Sequence, residues 1–147
     1  MKSRIRLYDA HLHLQATGEG PTLSDRGSTE SSPPVASPPV EIVAQLTNGT
    51  HPDDWPEVAA LQGDSILKAY GVHPWKVDCL PEDWESELRK YLDSGAVSIG
   101  EIGLDRWIEP RDEDRQRELF ERQLVIADEL SQPPSIHCVR AWGCLLY

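Results

Sequence analysis

The chain has 147 residues, 39% hydrophobic and 27% charged, with 14 Lys and Arg against 25 Asp and Glu for a formal net charge of −11. That length suffices for a single domain, 1–147, with a real core, and the acidic balance excludes tight non-specific nucleic-acid binding through bulk counterion release. No apolar run approaches the ~20 residues of a membrane span, no signal-peptide pattern opens the chain, and Cys79, Cys138 and Cys144 have no framework spacing, so a cytoplasmic, reducing setting without a membrane is expected.

Ile5 and Leu7 alternate with Arg6 and Tyr8, which predicts a short strand running into Asp9-Ala10-His11-Leu12-His13. Side chains at i and i+2 share a strand face, so His11 and His13 project together as half a site for zinc, manganese, iron or cobalt. Residues Thr17 to Pro39 are rich in Gly, Ser, Thr and Pro. They carry too little apolar surface to offset their ordering entropy, so a mobile loop is predicted over 17–39. A second strand is predicted over Ile42 to Leu46, ended by Asn48-Gly49. A helix follows over Pro52 to Gln62, with Asp53 or Asp54 as its cap. A third strand, Ser65 to Val72, leads into His73-Pro74.

Pro81 to Leu92 reads as a helix with Trp84, Leu88 and Leu92 on one face. Ala96 to Ile99 is a fourth strand leading into Gly100-Glu101. Asp112 to Leu130 is a long helix with an apolar stripe, and Ser135 to His137 a fifth strand. Strands alternating with helices predict βα units and a parallel sheet. On this reading His11, His13, His73, Glu101 and His137 stand at the C-terminal ends of successive strands, where parallel α/β folds build their sites.

Asp9-Ala10-His11-Leu12-His13-Leu14, Gly71-Val72-His73-Pro74 and Gly100-Glu101-Ile102-Gly103-Leu104-Asp105 occur in this order, followed by Gln116, Phe120, Gln123-Leu124, Ala127 and Ile136-His137. Together they resemble the TatD family of metal-dependent hydrolases, whose fold is an amidohydrolase-like (β/α)8 barrel. The resemblance implies a two-metal hydrolase of phosphodiesters, typically a deoxyribonuclease, with two divalent ions (Zn, Mn, Mg or similar). It places His11 and His13 on the first metal, Glu101 between both, His137 on the second, and His73 beside them against the scissile phosphate. DNA or another phosphodiester would be held locally through the metals, with no obligate protein partner.

A (β/α)8 barrel typically takes ~250 residues. The expected architecture is therefore an incomplete TIM-type barrel, about its first five strands, C-terminally truncated. The family's later histidine and its general-base aspartate would fall beyond Tyr147, so no catalytic base is identified. The 17–39 segment stands where the first barrel helix should be, which would leave the first strand uncovered outside, and an open edge would follow the fifth strand. The alternatives are a non-catalytic, weakly metal-binding fragment and a hydrolase of the ester in aminoacyl-tRNA; an H-x-H phosphoesterase of the polymerase-and-histidinol-phosphatase type leaves GEIGLD unexplained. Among the remaining candidates, Asp9 either orients a histidine or ends its strand, and Asp105 contacts or caps the site. His51 is expected in a loop, and Cys138 and Cys144 as buried thiols. Arg140 is given no role. Trp75, Trp107 and Trp142 could stack on bases, although packing is the usual use of tryptophan in such a domain.

Overall fold

A computed structural model describes residues 5–14, 40–107, 109–110 and 112–147. The predicted loop over 17–39 lies outside the described residues. The elements are β1 (Ile5–Leu12), β2 (Val40–Asn48), α1 (Trp55–Ala60), β3 (Ile66–Tyr70), α2 (Trp84–Asp93), β4 (Ser98–Asp105), α3 (Glu113–Glu129), β5 (Pro134–Val139) and α4 (Trp142–Leu145). A single 3-10 turn, Pro74–Lys76, follows β3.

The five strands form one parallel sheet in the order β1-β2-β3-β4-β5. Although β1 and β5 are at opposite ends of that order, His11 Nδ1 lies 3.2 Å from Ser135 Oγ. The sheet is thus curled into a nearly closed barrel, with the helices between its strands, as parallel connections require. The core is built from Trp55, Val58, Tyr70, Val72, Leu88, Leu92, Ile99, Ile102, Leu119 and Ile126, contributed by helices and strands alike. β4 is buried along its whole length, whereas β1 is exposed over nearly all of its own.

The strands predicted from sequence are present, but β4 differs in a way that matters. The predicted strand covers Ala96 to Ile99 and leads into Gly100-Glu101; the observed strand continues to Asp105. Gly100 and Gly103, inside this strand, serve close backbone approach. A Cβ on Gly100 would come within 2.6 Å of the Ser135 side chain, and one on Gly103, whose φ is +149°, would overlap the His137 carbonyl. Glu101 is therefore the fourth residue of β4, not a residue at its C-terminal end, and His137 is likewise the fourth of β5. The expectation that all five site residues occupy strand ends is corrected for these two.

Helix starts also move. α1 begins at Trp55, and the Asp54 carboxylate makes no cap; it accepts from Thr50 N and Oγ1, at 2.9 Å and 2.6 Å, and so ties down the loop after β2. α2 begins at Trp84. α3 matches its predicted span, and Asp112 Oδ1 caps it by accepting from Arg115 N at 3.0 Å.

Candidate metal centre

β1 brings His11 to its penultimate position and His13 one residue past its end, so both imidazoles face the curled interior. Each ring is oriented from behind. His13 Nδ1–H donates to the Asn48 carbonyl at 2.9 Å, which turns the Nε2 lone pair inward. His11 Nδ1 lies between Ser135 Oγ and Asn48 Nδ2. The inward Nε2 atoms of His11 and His13 are 3.3 Å apart, and each is 3.1 Å from Glu101 Oε2.

The other oxygen of the same carboxylate faces a second set. Glu101 Oε1 is 2.8 Å from His137 Nδ1 and 3.9 Å from His73 Nε2, and those two nitrogens are 3.1 Å apart. Two groups capable of holding a metal therefore share Glu101: His11, His13 and Glu101, and His73, Glu101 and His137. The donor set fits a borderline divalent ion. Tetrahedral bonds of ~2.0–2.2 Å set ligand atoms roughly 3.3–3.6 Å apart, and the three atoms of the first group stand at 3.1–3.3 Å.

Hydrogen bonding distinguishes the histidines of the second group. His137 Nε2–H donates to Asp105 Oδ2 at 2.9 Å, leaving Nδ1 to face Glu101. His73 is arranged the other way: its Nδ1 accepts from Trp75 N at 3.1 Å, so the neutral ring carries its proton on Nε2, the atom that enters the site. His73 thus presents a donor where His13 and His137 present lone pairs.

The titration behaviour follows the same layout. Burial pushes the Glu101 carboxyl up, but hydrogen bonds from His13 and His137 and the charges of His73 and His11 outweigh it, and the group is held far below the usual carboxylate range. The bond to Glu101 raises His13 above 6.5 against the opposing effect of burial. Burial lowers His137, yet its bonds to Glu101 and Asp105 leave it raised. Burial and then the neighbouring His137 push His73 down to about 4, so it is neutral near pH 7.

α3 supports this arrangement from the outside. Gln123, fully buried, accepts from Val72 N at 2.7 Å and donates to Val72 O at 3.1 Å, clamping the backbone just before His73. Gln116 Oε1 accepts from Asp105 N at 2.9 Å. The polar stripe of α3 thus fixes the two places where site residues leave the sheet.

All five predicted site residues, His11, His13, His73, Glu101 and His137, line one cavity of about 490 Å³, together with Thr50, Asp54, Trp75 and Lys76. Asp9 does not reach a ring; its Oδ1 accepts from the backbone of His11. His51 is a buried loop residue whose Nδ1 lies 3.0 Å from Asp53 Oδ2. Asp105 is more than a cap: Oδ2 takes both His137 Nε2–H and the Trp75 indole N–H, and Oδ1 takes Trp107 N–H. The sequence signal for it was its spacing, four residues from Glu101 along one strand and so on the same face. Two expectations are corrected. Cys144 is exposed rather than buried. Only Trp55 and Trp84 serve as packing; Trp75, Trp107 and Trp142 are exposed, because loops and the short last helix, not sheet faces, carry them.

Comparison with known proteins yields a consistent set of similarities. A family model described as TatD related DNase matches residues 8–146. The chain is 35% identical over 74 residues, 50% of its own length and 28% of the relative's, to a protein described as the metal-dependent hydrolase YcfH of Escherichia coli K12. It is 32% identical over 96 residues, 65% of its length and 37% of the relative's, to the 3'-5' ssDNA/RNA exonuclease TatD of Erwinia tasmaniensis. The crystal structure of YJJV, a TatD homologue from E. coli K12, superposes with a TM-score of 0.66 at 25% identity, over 71% of this chain and 42% of that one. The chain spans well under half the length of each of these proteins.

Proposed function

The chain belongs to the family of TatD-related DNases, whose members are named as metal-dependent hydrolases and nucleases, and from that premise we propose that it carries the metal-binding strands of a two-metal phosphodiester hydrolase of deoxyribonuclease type. One observation carries the reading: the two oxygens of Glu101 each face a separate histidine set. An anion in that position offsets the repulsion between two close cations. His11 and His13, with Glu101, would hold the first ion, and His137, with the same carboxylate, would hold the second. A bound pair of divalent ions supplies a nucleophile from water at neutral pH and stabilises charge on the scissile phosphate.

The chain's own groups account for orientation. Asp105 and the Asn48 carbonyl hold His137 and His13 in the tautomers that leave a lone pair inward, as second partners of metal-bound imidazoles do. His73, neutral and with its proton on Nε2, donates to a phosphate oxygen rather than ligating. Three imidazoles and one carboxylate suit zinc or manganese better than magnesium alone.

The test is the metal content of the purified chain by elemental analysis, together with cleavage of a DNA oligonucleotide in added Mn²⁺ or Mg²⁺. About two ions per chain, with ions and cleavage both lost in Glu101→Ala, support the proposal. At most one weakly held ion and no cleavage would make the chain a metal-binding fragment without turnover.

A further inference from the structure

Trp75 is an apolar side chain in an unusual place. Its ring lines the cavity that holds the histidines and Glu101, yet it is 56% exposed. One edge is anchored, since the indole N–H donates to Asp105 Oδ2 at 2.7 Å, and the backbone beneath is the 3-10 turn begun by Pro74. The ring meets those of His73 and His137 at 80° and 73°, with centroids 5.0 Å and 6.4 Å away, so neither imidazole stacks on it. It is therefore a fixed aromatic platform at the mouth of the site. Lys76, next in the chain, lines the same cavity and makes no ion pair with any described residue. On the other side of Asp105, Trp107 is also exposed, but the Arg140 guanidinium lies over its ring at 3.8 Å.

Resting on the phosphodiesterase reading above, we propose that Trp75 is a substrate-positioning residue that stacks on the nucleobase adjoining the scissile phosphate. The chain's charge of −11 makes an attraction that does not depend on bulk charge necessary for holding a polyanion. Base–aromatic stacking supplies it, tolerates any base, and works beside a local cation such as Lys76. In a duplex the base faces are already covered by their neighbours. Trp75 can engage only a single strand or a frayed end, and the anchored indole sets the base at a constant offset from Glu101 and His137.

The experiment measures binding rather than turnover, with Mn²⁺ present and a fluorescein-labelled phosphorothioate oligothymidylate that resists hydrolysis. An abasic strand of equal length and a blunt duplex are the comparisons. The expected result is that Trp75→Ala weakens the base-bearing strand about 5- to 150-fold, the range of one base–aromatic stack, and leaves the abasic strand unchanged. Trp75→Phe, which keeps a ring and loses the bond to Asp105, should retain most of the affinity. Trp107→Ala, whose ring Arg140 already covers, should bind like the wild type. Equal binding of base-bearing and abasic strands by the wild type overturns the proposal, as does equal loss on both in Trp75→Ala or full loss in Trp75→Phe. Failure of the hydrolase reading shows separately, as absence of retained metal with the Trp75-dependent preference for bases intact.

Discussion

At the residue scale, the site is a set of imidazoles made different from one another by their second hydrogen bonds. His13 and His137 turn lone pairs inward, whereas the Trp75 amide forces the His73 proton onto Nε2. This makes the role of His73 separable from ligation. We expect His73→Ala to lower cleavage about 10²–10³-fold, the effect of losing one donor to a charged transition state, while metal content stays at the wild-type value; loss of one ion per chain would instead make His73 a ligand. The pH dependence of the metal-free chain follows from the same contacts. His13 and His137, raised above 6.5, contribute stability that is full below that value and lost as pH rises through their folded values. His73, held down at about 4, disfavours folding once pH falls below 6.5, and the contribution of Glu101, full above 4.5, is lost as pH falls further. Melting temperatures in chelator should therefore peak near pH 6.5 and decline on both sides. A divalent ion replaces the proton on His13 and His137, so adding metal should flatten the alkaline limb.

At the element scale, β4 positions the centre through what its glycines leave out. Gly103 opposes His137 in the β4–β5 register, and a side chain there would strike the His137 carbonyl. Gly103→Ala is expected to destabilise the fold by about 2–4 kcal/mol through that overlap and the positive φ, and to lower metal retention by displacing His137; denaturant midpoints and elemental analysis read the two effects. Gln123→Leu tests the other support. It leaves the buried N–H and C=O of Val72 without their partner and should cost about 2–5 kcal/mol, with unchanged metal at the His11–His13 group.

Local sequence carried a large part of this: the alternation into His11 and His13, the apolar stripe of α3, and the breaks around α2 all reflect short-range periodicity. What it did not carry depends on neighbours distant in the chain. The need for glycine at 100 and 103 shows only when β5 is laid beside them. The position of Asp105, the paired backbone bonds of Gln123 and the exposure of Trp75 are likewise set by contacts across tens of residues. The 3-10 turn at Pro74–Lys76 and the four-residue α4 are too short to have a period.

At the scale of the whole molecule, the charge excess and the site have to be reconciled. A chain with 25 acidic and 14 basic residues repels a nucleic-acid strand at a distance, so the proposed substrate is captured only by what the cavity mouth offers. Of the nearby cations, Arg106 is paired with Glu113 and Arg115 with Asp78, while Lys76 lines the cavity and Arg140 lies on Trp107. Among the described residues near the cavity, Lys76 and Arg140 are left to displace counterions from a strand. With about 0.7 in the slope of log K against log[salt] per phosphate neutralised on single strands, two such contacts give a slope of about −1.4. Raising salt tenfold should then weaken oligonucleotide binding only about 25-fold. Binding isotherms taken across that range at constant Mn²⁺ measure the slope. A value of about −4 or steeper would mean that a basic surface, rather than the metals and Trp75, holds the strand.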